Sequence, residues 1–382
     1  MTVVLDRAVP TPSSSAPTGK RSRSGLLPHF PALDGLRGLA VVGVVAFHAQ
    51  LPGTEGGFLG VSAFFTLSGF LITSLLLSER RAHGDVDLRQ FWTARFRRLM
   101  PASLAALSLA VLFGYLAADP VQRRNLAGDV LASPAAVANW RFLLTEQSYA
   151  DIFGQASPVA HFWSLAIEEQ FYVLYPLLAW WLLVRRKVGR GLFAAVLAAL
   201  AAGSVALSLS GLLSSDAIYS STPTRSAELL AGALLAVAVF DRRVTVPLAT
   251  NRALQVVVNV VGLVALVVSL ALWTVTEHSA EHSPWLYKGG LPAYSLLTVA
   301  VIVAAILPRG PVRTVLATRP LRTLGMLSYG IYLYHWPVFV WLDPKRYDLP
   351  AVPLLGLRLA VTAVLAVASY YLLESPIRHR RG

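Results

Sequence analysis

Ten stretches of the chain are candidates to cross a lipid bilayer as helices: 33–51, 57–78, 101–119, 163–184, 191–213, 225–240, 254–273, 290–307, 324–342 and 351–373. A helix needs roughly 20 mainly apolar residues to span the hydrocarbon. An eleventh stretch, 124–145, is interrupted by Asp129, Pro134, Asn139 and Arg141, and reads as a re-entrant or interfacial helix. The expected fold class is all-α, a polytopic membrane protein of ten transmembrane helices plus that re-entrant or interfacial helix. Residues 1–30, rich in Ser, Pro and Thr with Lys20, Arg21 and Arg23, read as a disordered cytoplasmic tail. No apolar stretch in it precedes a cleavage site. Residues 31–378 form the expected membrane domain, and 379–382 a second short tail.

Composition narrows the function. Of 382 residues, 55% are hydrophobic and 14% charged, against about 25% charged in soluble domains. That excludes an ordinary soluble enzyme, a disordered chain and a nucleic-acid module. The net charge of +13 reads as topology instead of a nucleic-acid partner, because of where the charges sit. With the N-terminus in the cytoplasm, 24 of the 33 Lys and Arg residues fall in inside segments and 6 in outside segments; Arg37, Arg225 and Arg358 lie within spans. Basic residues concentrate on the cytoplasmic side of membrane proteins. A multi-pass protein of the cell membrane with both termini inside is therefore expected. The chain has no cysteine, so disulfides, thiolate metal sites and a Cys nucleophile are excluded. No metal and no permanently bound cofactor is expected.

Ionisable residues inside spans cost several kcal/mol and mark functional candidates. In the first span, LDGLRGLAVVGVVAFHAQ, Arg37 and His48 are eleven residues apart. They fall about 20° apart around the helix and roughly 16 Å apart along it. His48 either bonds a neighbouring helix or acts as a base, the usual role of an imidazole near neutral pH. Ser68 lies among small residues of the second span that also permit close helix packing. Arg95, Arg97 and Arg98 in LRQFWTARFRRLMP are either the basic face of an interfacial helix or a phosphate site. The fourth span begins AHFWSLAIEEQFYVLYP, where His161 and Glu168 share a face and Glu169 points about 100° away. Arg225 and Glu228, three apart, fit an ion pair. His335 lies among Tyr329, Tyr332, Tyr334 and Trp336, which form either an interfacial belt or the floor of a sugar or acyl site. Placed by depth within their spans, the histidines and glutamates fall in the outer half, and Arg37 and the Arg95–Arg98 cluster at the inner face. That polarity suits group transfer from an anionic cytoplasmic donor to an acceptor at the outer face.

Seven motifs in order carry a resemblance. They are Arg37-x10-His48, GVSAFFTLSGFLI, FWTARFRRLMP, HFWSLAIEEQFYVLYP, TRSAELLAGALLA, LSYGIYLYHWPV and LESPIR, spread over residues 33–378. On these the chain resembles the acyltransferase-3 family of integral membrane O-acyltransferases. The resemblance implies ten spans and transfer from cytoplasmic acyl-CoA to a hydroxyl, usually on a carbohydrate. It gives Arg37 and His48 the role of the family's functional pair, and maps the family's Arg-x-x-Arg loop onto Arg95 and Arg98 and its WSL-EE segment onto Trp163 to Glu169. The family commonly has Asp where this chain has Ser62. Many relatives also carry a C-terminal esterase-like domain, whereas this chain ends at Gly382. The expected acceptor is therefore one the membrane domain takes directly, a macrolide-type sugar or a cell-envelope glycan.

The expected mechanism makes His48 the general base, with Glu168 or Glu169 orienting it. Arg95, Arg97 and Arg98 bind the CoA phosphates, and Arg37 holds the donor or neutralises oxyanion charge. His161, Trp163, Ser68, Arg225, Tyr332 and His335 line the substrate. The competing class is a transporter or flippase that moves a glycosylated molecule without chemistry, since spans with midplane charges also suit transport.

Overall fold

A computed structural model describes residues 29–118, 120–145 and 157–379. Most of the expected N-terminal tail and residues 380–382 of the C-terminal one lie outside those residues. The described chain is helical, with no strand. The helices are α1 Pro31–His48, α2 Gly60–His83, α3 Leu88–Leu116, α4 Pro120–Ala132, α5 Ala138–Leu144, α6 Phe162–Trp180, α7 Arg190–Leu209, α8 Ser215–Ser220, α9 Thr222–Val239, α10 Arg242–Thr250, α11 Arg252–Val275, α12 Leu291–Ile306, α13 Pro311–Leu316, α14 Arg319–Trp341, α15 Ala351–Ser369 and α16 Ser375–His379.

Ten of these helices coincide with the ten apolar stretches: α1, α2, α3, α6, α7, α9, α11, α12, α14 and α15. Seven are individually long and apolar enough to cross a membrane. The other three, α6, α9 and α14, carry Glu168 and Glu169, Arg225 and Glu228, and Arg319, Arg322 and His335. Of these, Glu168, Glu169, Arg225 and His335 are candidates for chemistry. The chain is an all-α polytopic membrane protein.

Contacts between chain ends show the helices alternating in direction. On the basic face, Arg190 at the start of α7 bonds the Phe240 carbonyl after α9 (2.5 Å) and Asn259 bonds the Arg309 carbonyl after α12 (3.3 Å). On the opposite face, Gly56 N–H donates to the Trp273 carbonyl near the end of α11 (2.8 Å), and Arg346 donates to the Ala117 carbonyl after α3 (2.6 Å).

Two sequence expectations change. The basic stretch 88–100 is not a separate interfacial helix. Asp87 caps it by accepting from Gln90 N–H at 2.9 Å, and the helix runs on through Pro101 for 29 residues. The stretch 124–145 is not one helix but two, α4 and α5, broken by a turn at 133–137 that contains Pro134 and the positive-φ Ala136 (58°). Proline removes a backbone donor and disfavours helix in the residue before it. The polar residues of this stretch are used internally, for Arg141 Nε pairs with the fully buried Asp129 at 2.7 Å.

Glycines set two close crossings. A Cβ on Gly325 of α14 would lie 1.8 Å from the Asp34 carbonyl oxygen of α1, and one on Gly38 2.1 Å from that of Leu321. On the α2–α9 crossing, Cβ atoms at Gly69 and Gly232 would each lie 1.8 Å from a carbonyl oxygen of the facing helix. Small residues let membrane helices approach backbone to backbone. Gly325→Ala is expected to push α14 off α1 and cost about 1–3 kcal/mol, the usual size of overpacking. A lower melting temperature in detergent checks this; an unchanged one contradicts it.

Candidate active site

The α1–α14 crossing brings two histidines together. His48 occupies the last turn of α1 and is 5% exposed; His335 of α14 is fully buried. His335 Nε2 lies 3.1 Å from His48 Nδ1, and its own Nδ1 faces the carbonyls of Tyr332 (2.7 Å) and Ile331 (3.1 Å). The indole of Trp336 packs 4.8 Å from the His48 ring. His161, just before α6, stands 5.7 Å from the His335 ring. Tyr332 donates to the His161 carbonyl at 3.1 Å, with Ser164 Oγ 2.5 Å from its hydroxyl. Among the described residues, no group of three or more His, Asp or Glu side chains is arranged to hold a metal ion.

A second cluster surrounds Glu168. Ser68 Oγ donates to Oε1 at 2.8 Å and Tyr172 O–H to Oε2 at 3.0 Å. Its cationic neighbours are Arg37 and Arg95. Arg95 lies over the rings of Phe91 (5.6 Å) and Tyr172 (5.4 Å), and Trp92 donates to the Tyr172 carbonyl at 3.0 Å. The three arginines of this turn diverge. Arg95 enters the cluster, Arg97 is exposed, and Arg98 lines a small cleft with Tyr329, Tyr370 and Glu374. Arg37 also lines a cavity of about 200 Å³ whose other walls are mostly apolar, from Phe30, Leu33, Phe70 and Leu248 among others.

This geometry corrects the expected pairing. His48 has His335, His161 and His278 as its titratable neighbours, and neither glutamate. Glu168 belongs with Arg37, Arg95 and Ser68, near the middle of α2, and the charge beside Glu169 is that of Glu168. The side chain in contact with His48 is that of His335, at 3.1 Å. Tyr332 links the two clusters, since its ring lies 5.5 Å from His335 and its nearby charges include Glu168.

A third centre is closed. Arg225 (1% exposed) and Glu228 (0%) are ion-paired at 2.9 Å on α9. Arg225 Nη2 also donates to Ser62 Oγ at 3.0 Å. Phe65, Trp163 and Tyr219 surround the guanidinium at 5.2, 5.6 and 4.9 Å. Ser62, standing where the family pattern has Asp, supplies a neutral acceptor, and Glu228 supplies the negative charge. Arg225 and Trp163, both expected to line the substrate, are in contact with each other here.

Three participants carried no weight in the sequence reading. Tyr172 lies four residues after Glu168 on the same helical face, and that spacing was the available signal. Gln170 donates to the Ala136 carbonyl (2.7 Å) and Asn139 Oδ1 (3.0 Å) and accepts from Thr222 (2.6 Å), joining α5, α6 and α9. His278, in the loop after α11, packs edge-on against Tyr219 (4.2 Å) and Phe58 (4.7 Å). Burial pushes its imidazole down to about 3, so it is neutral at neutral pH. No spacing rule points to a loop histidine.

The model of the acyltransferase-3 family, an acyltransferase domain, matches residues 30–373. The peptidoglycan O-acetyltransferase OatA of Listeria monocytogenes is 36% identical over 361 residues, covering 92% of this chain and 56% of that protein. The putative peptidoglycan O-acetyltransferase YrhL of Bacillus subtilis is 37% identical, covering 92% and 55%. The O-acetyltransferase OatA of Staphylococcus aureus is 33% identical, covering 92% and 58%. The chain thus spans just over half the length of these relatives, and no solved structure matches it. An ordered set of motifs, a helical bundle that gathers them inside the membrane body, and a family model covering nearly all the described residues agree: the chain belongs to the acyltransferase-3 family of integral membrane O-acyltransferases.

Proposed function

We propose that the protein transfers an acyl group, from an activated donor on the cytoplasmic side, to a hydroxyl of a cell-envelope glycan on the other. The supporting observation is the run of polar side chains from Arg37 and Arg95, through Glu168 and Tyr332, to His335 and His48. The basic face of the bundle is cytoplasmic in this reading, following the distribution of Lys and Arg, which places both termini inside. Acyl-CoA is the donor to test first. Arg95 and Arg37 meet its phosphates, because guanidinium groups bind phosphate bidentately, and the cavity beside Arg37 offers apolar wall for the rest. The names of the relatives, peptidoglycan O-acetyltransferases among them, favour an envelope glycan over a macrolide sugar as acceptor, and chemistry over transport.

His48 serves as general base. As the acceptor oxygen attacks the acyl carbonyl carbon, its proton passes to His48. The thioester C–S bond then breaks, and His48 returns the proton to the departing thiolate. The test is acceptor-dependent thiol release: membranes holding the protein are given acetyl-CoA with peptidoglycan fragments or with a macrolide glycoside. Release that requires the glycan supports the reading. Movement of labelled glycan across the membrane without thiol release contradicts it.

A further inference from the structure

We propose that the cavity beside Arg37 receives the adenine ring of the acyl donor, which makes that donor a coenzyme A thioester and not a pantetheine thioester without a nucleotide. This rests on the donor being acyl-CoA and adds where its nucleotide sits. The cavity, about 200 Å³, lies among the basic-face ends of the helices. Phe30 just before α1, Phe240 just after α9, Leu248 of α10 and Leu307 just after α12 form part of its wall. That volume holds on the order of seven water-sized groups, room for a two-ring base and too little for the paired chains of a phospholipid. Its position sets which part of the donor it serves. Arg37 is on the wall, and His48 is further along the same helix, roughly 16 Å toward the opposite face. With the phosphates at Arg37 and the acyl carbon at His48, the pantetheine arm fills the interval between them. The cavity is then on the other side of the phosphates from the acyl group, where the nucleotide is.

The walls suit a base. Phe30, Phe70 and Phe240 are among them, and nucleic-acid bases stack on aromatic side chains. Small-molecule sites are mostly apolar with a few placed polar groups. Here Ser74 of α2 lines the cavity, is 4% exposed, and has an Oγ without a hydrogen-bond partner among the described residues. A hydroxyl within a helix can return to its own backbone, as Thr66 does by donating to the Ser62 carbonyl at 3.0 Å. Ser74 does not, and leaving a buried hydroxyl unsatisfied costs free energy. It is placed to donate to a ring nitrogen of the base. Asp34, whose Oδ2 lies 2.6 Å from His29 Nε2, has a second carboxylate oxygen able to accept from the exocyclic amino group. Arg37, on the same wall, supplies charge for the adjoining phosphates.

Two donors separate the nucleotide from the rest. Acetyl-CoA and S-acetyl-4′-phosphopantetheine present the same thioester, and only the first carries adenine. The unmodified protein is expected to show a KM roughly tenfold or more lower for acetyl-CoA, within the usual worth of stacking a base, with similar kcat. Ala249→Phe, which builds into the cavity from α10, is expected to remove that advantage and leave the short donor unaffected. The short donor is thus an internal check on folding. Ser74→Ala is expected to raise the acetyl-CoA KM by about two- to tenfold, the usual worth of one hydrogen bond, again without effect on the short donor. Adenosine 3′,5′-bisphosphate is expected to compete with acetyl-CoA in the unmodified protein and to compete more weakly in Ala249→Phe. Equal KM values for the two donors in the unmodified protein overturn the proposal. So does a rise in Ala249→Phe that both donors share, or that neither shows. If the unmodified protein turns over neither donor, the acyl-CoA reading itself has failed; if it turns over both alike, only the adenine site has failed.

Discussion

His48→Gln is expected to reduce acyl transfer by roughly 10²–10⁴-fold, the range contributed by a positioned base, while the protein inserts and folds as before. Glutamine fills most of the imidazole volume, so the packing at the α1–α14 crossing is largely kept. It has no lone pair basic enough to take a proton from a hydroxyl. The loss should fall on kcat, because the donor-side groups Arg37, Arg95 and Glu168 are untouched. Thiol release from acetyl-CoA, compared at equal amounts of folded protein in detergent, measures it. Near-parental turnover in His48→Gln removes the base from the mechanism.

Glu228→Gln is expected to destabilise the fold more than any other single polar change. It strands the Arg225 guanidinium, 1% exposed, without a negative partner. Breaking a buried ion pair from one side costs about 3–5 kcal/mol, a large share of a typical total stability of about 5–15 kcal/mol. Phe65, Trp163 and Tyr219 pack against the guanidinium, and Ser62 accepts one of its hydrogens at 3.0 Å. None of them supplies charge. The cure follows from the geometry: Glu228→Gln combined with Ser62→Asp restores one negative charge at the same guanidinium. That pair should regain most of the folded yield and melting temperature that Glu228→Gln loses. Ser62→Asp alone puts two carboxylates against one arginine and should destabilise. If the double variant melts no higher than Glu228→Gln, charge balance is not what holds α9 to α2.

The fold was legible because bilayer crossing demands long apolar runs, and each of the ten apolar stretches in the sequence coincides with a helix. The partners of Glu168 were not legible. Position within a span gives depth only if the span starts at the membrane surface. Helix α6 does not: His161, Phe162 and Trp163 at its start are 1–3% exposed, so it begins inside the protein. Its carboxylate therefore meets Ser68 at mid-helix, and meets Arg95, which α3 carries in because that helix begins at Leu88 and not near residue 101. Helix rotation was equally hidden. The contact of Arg225 with Trp163, across the α6–α9 packing, is not visible in either helix's sequence. The contact between His48 and His335 joins residues 287 positions apart and depends on a glycine crossing. A residue pattern along either helix alone cannot record it.

The central claim, that one polar track carries acyl chemistry across the bilayer, is tested most directly by sidedness. Protein of known orientation in sealed vesicles is given acetyl-CoA only at its basic face and a peptidoglycan-fragment acceptor only at the other. Acetylated acceptor accumulating on the far side, with free CoA on the near side, is the predicted result. Acetylation that occurs only when donor and acceptor share a compartment would contradict it.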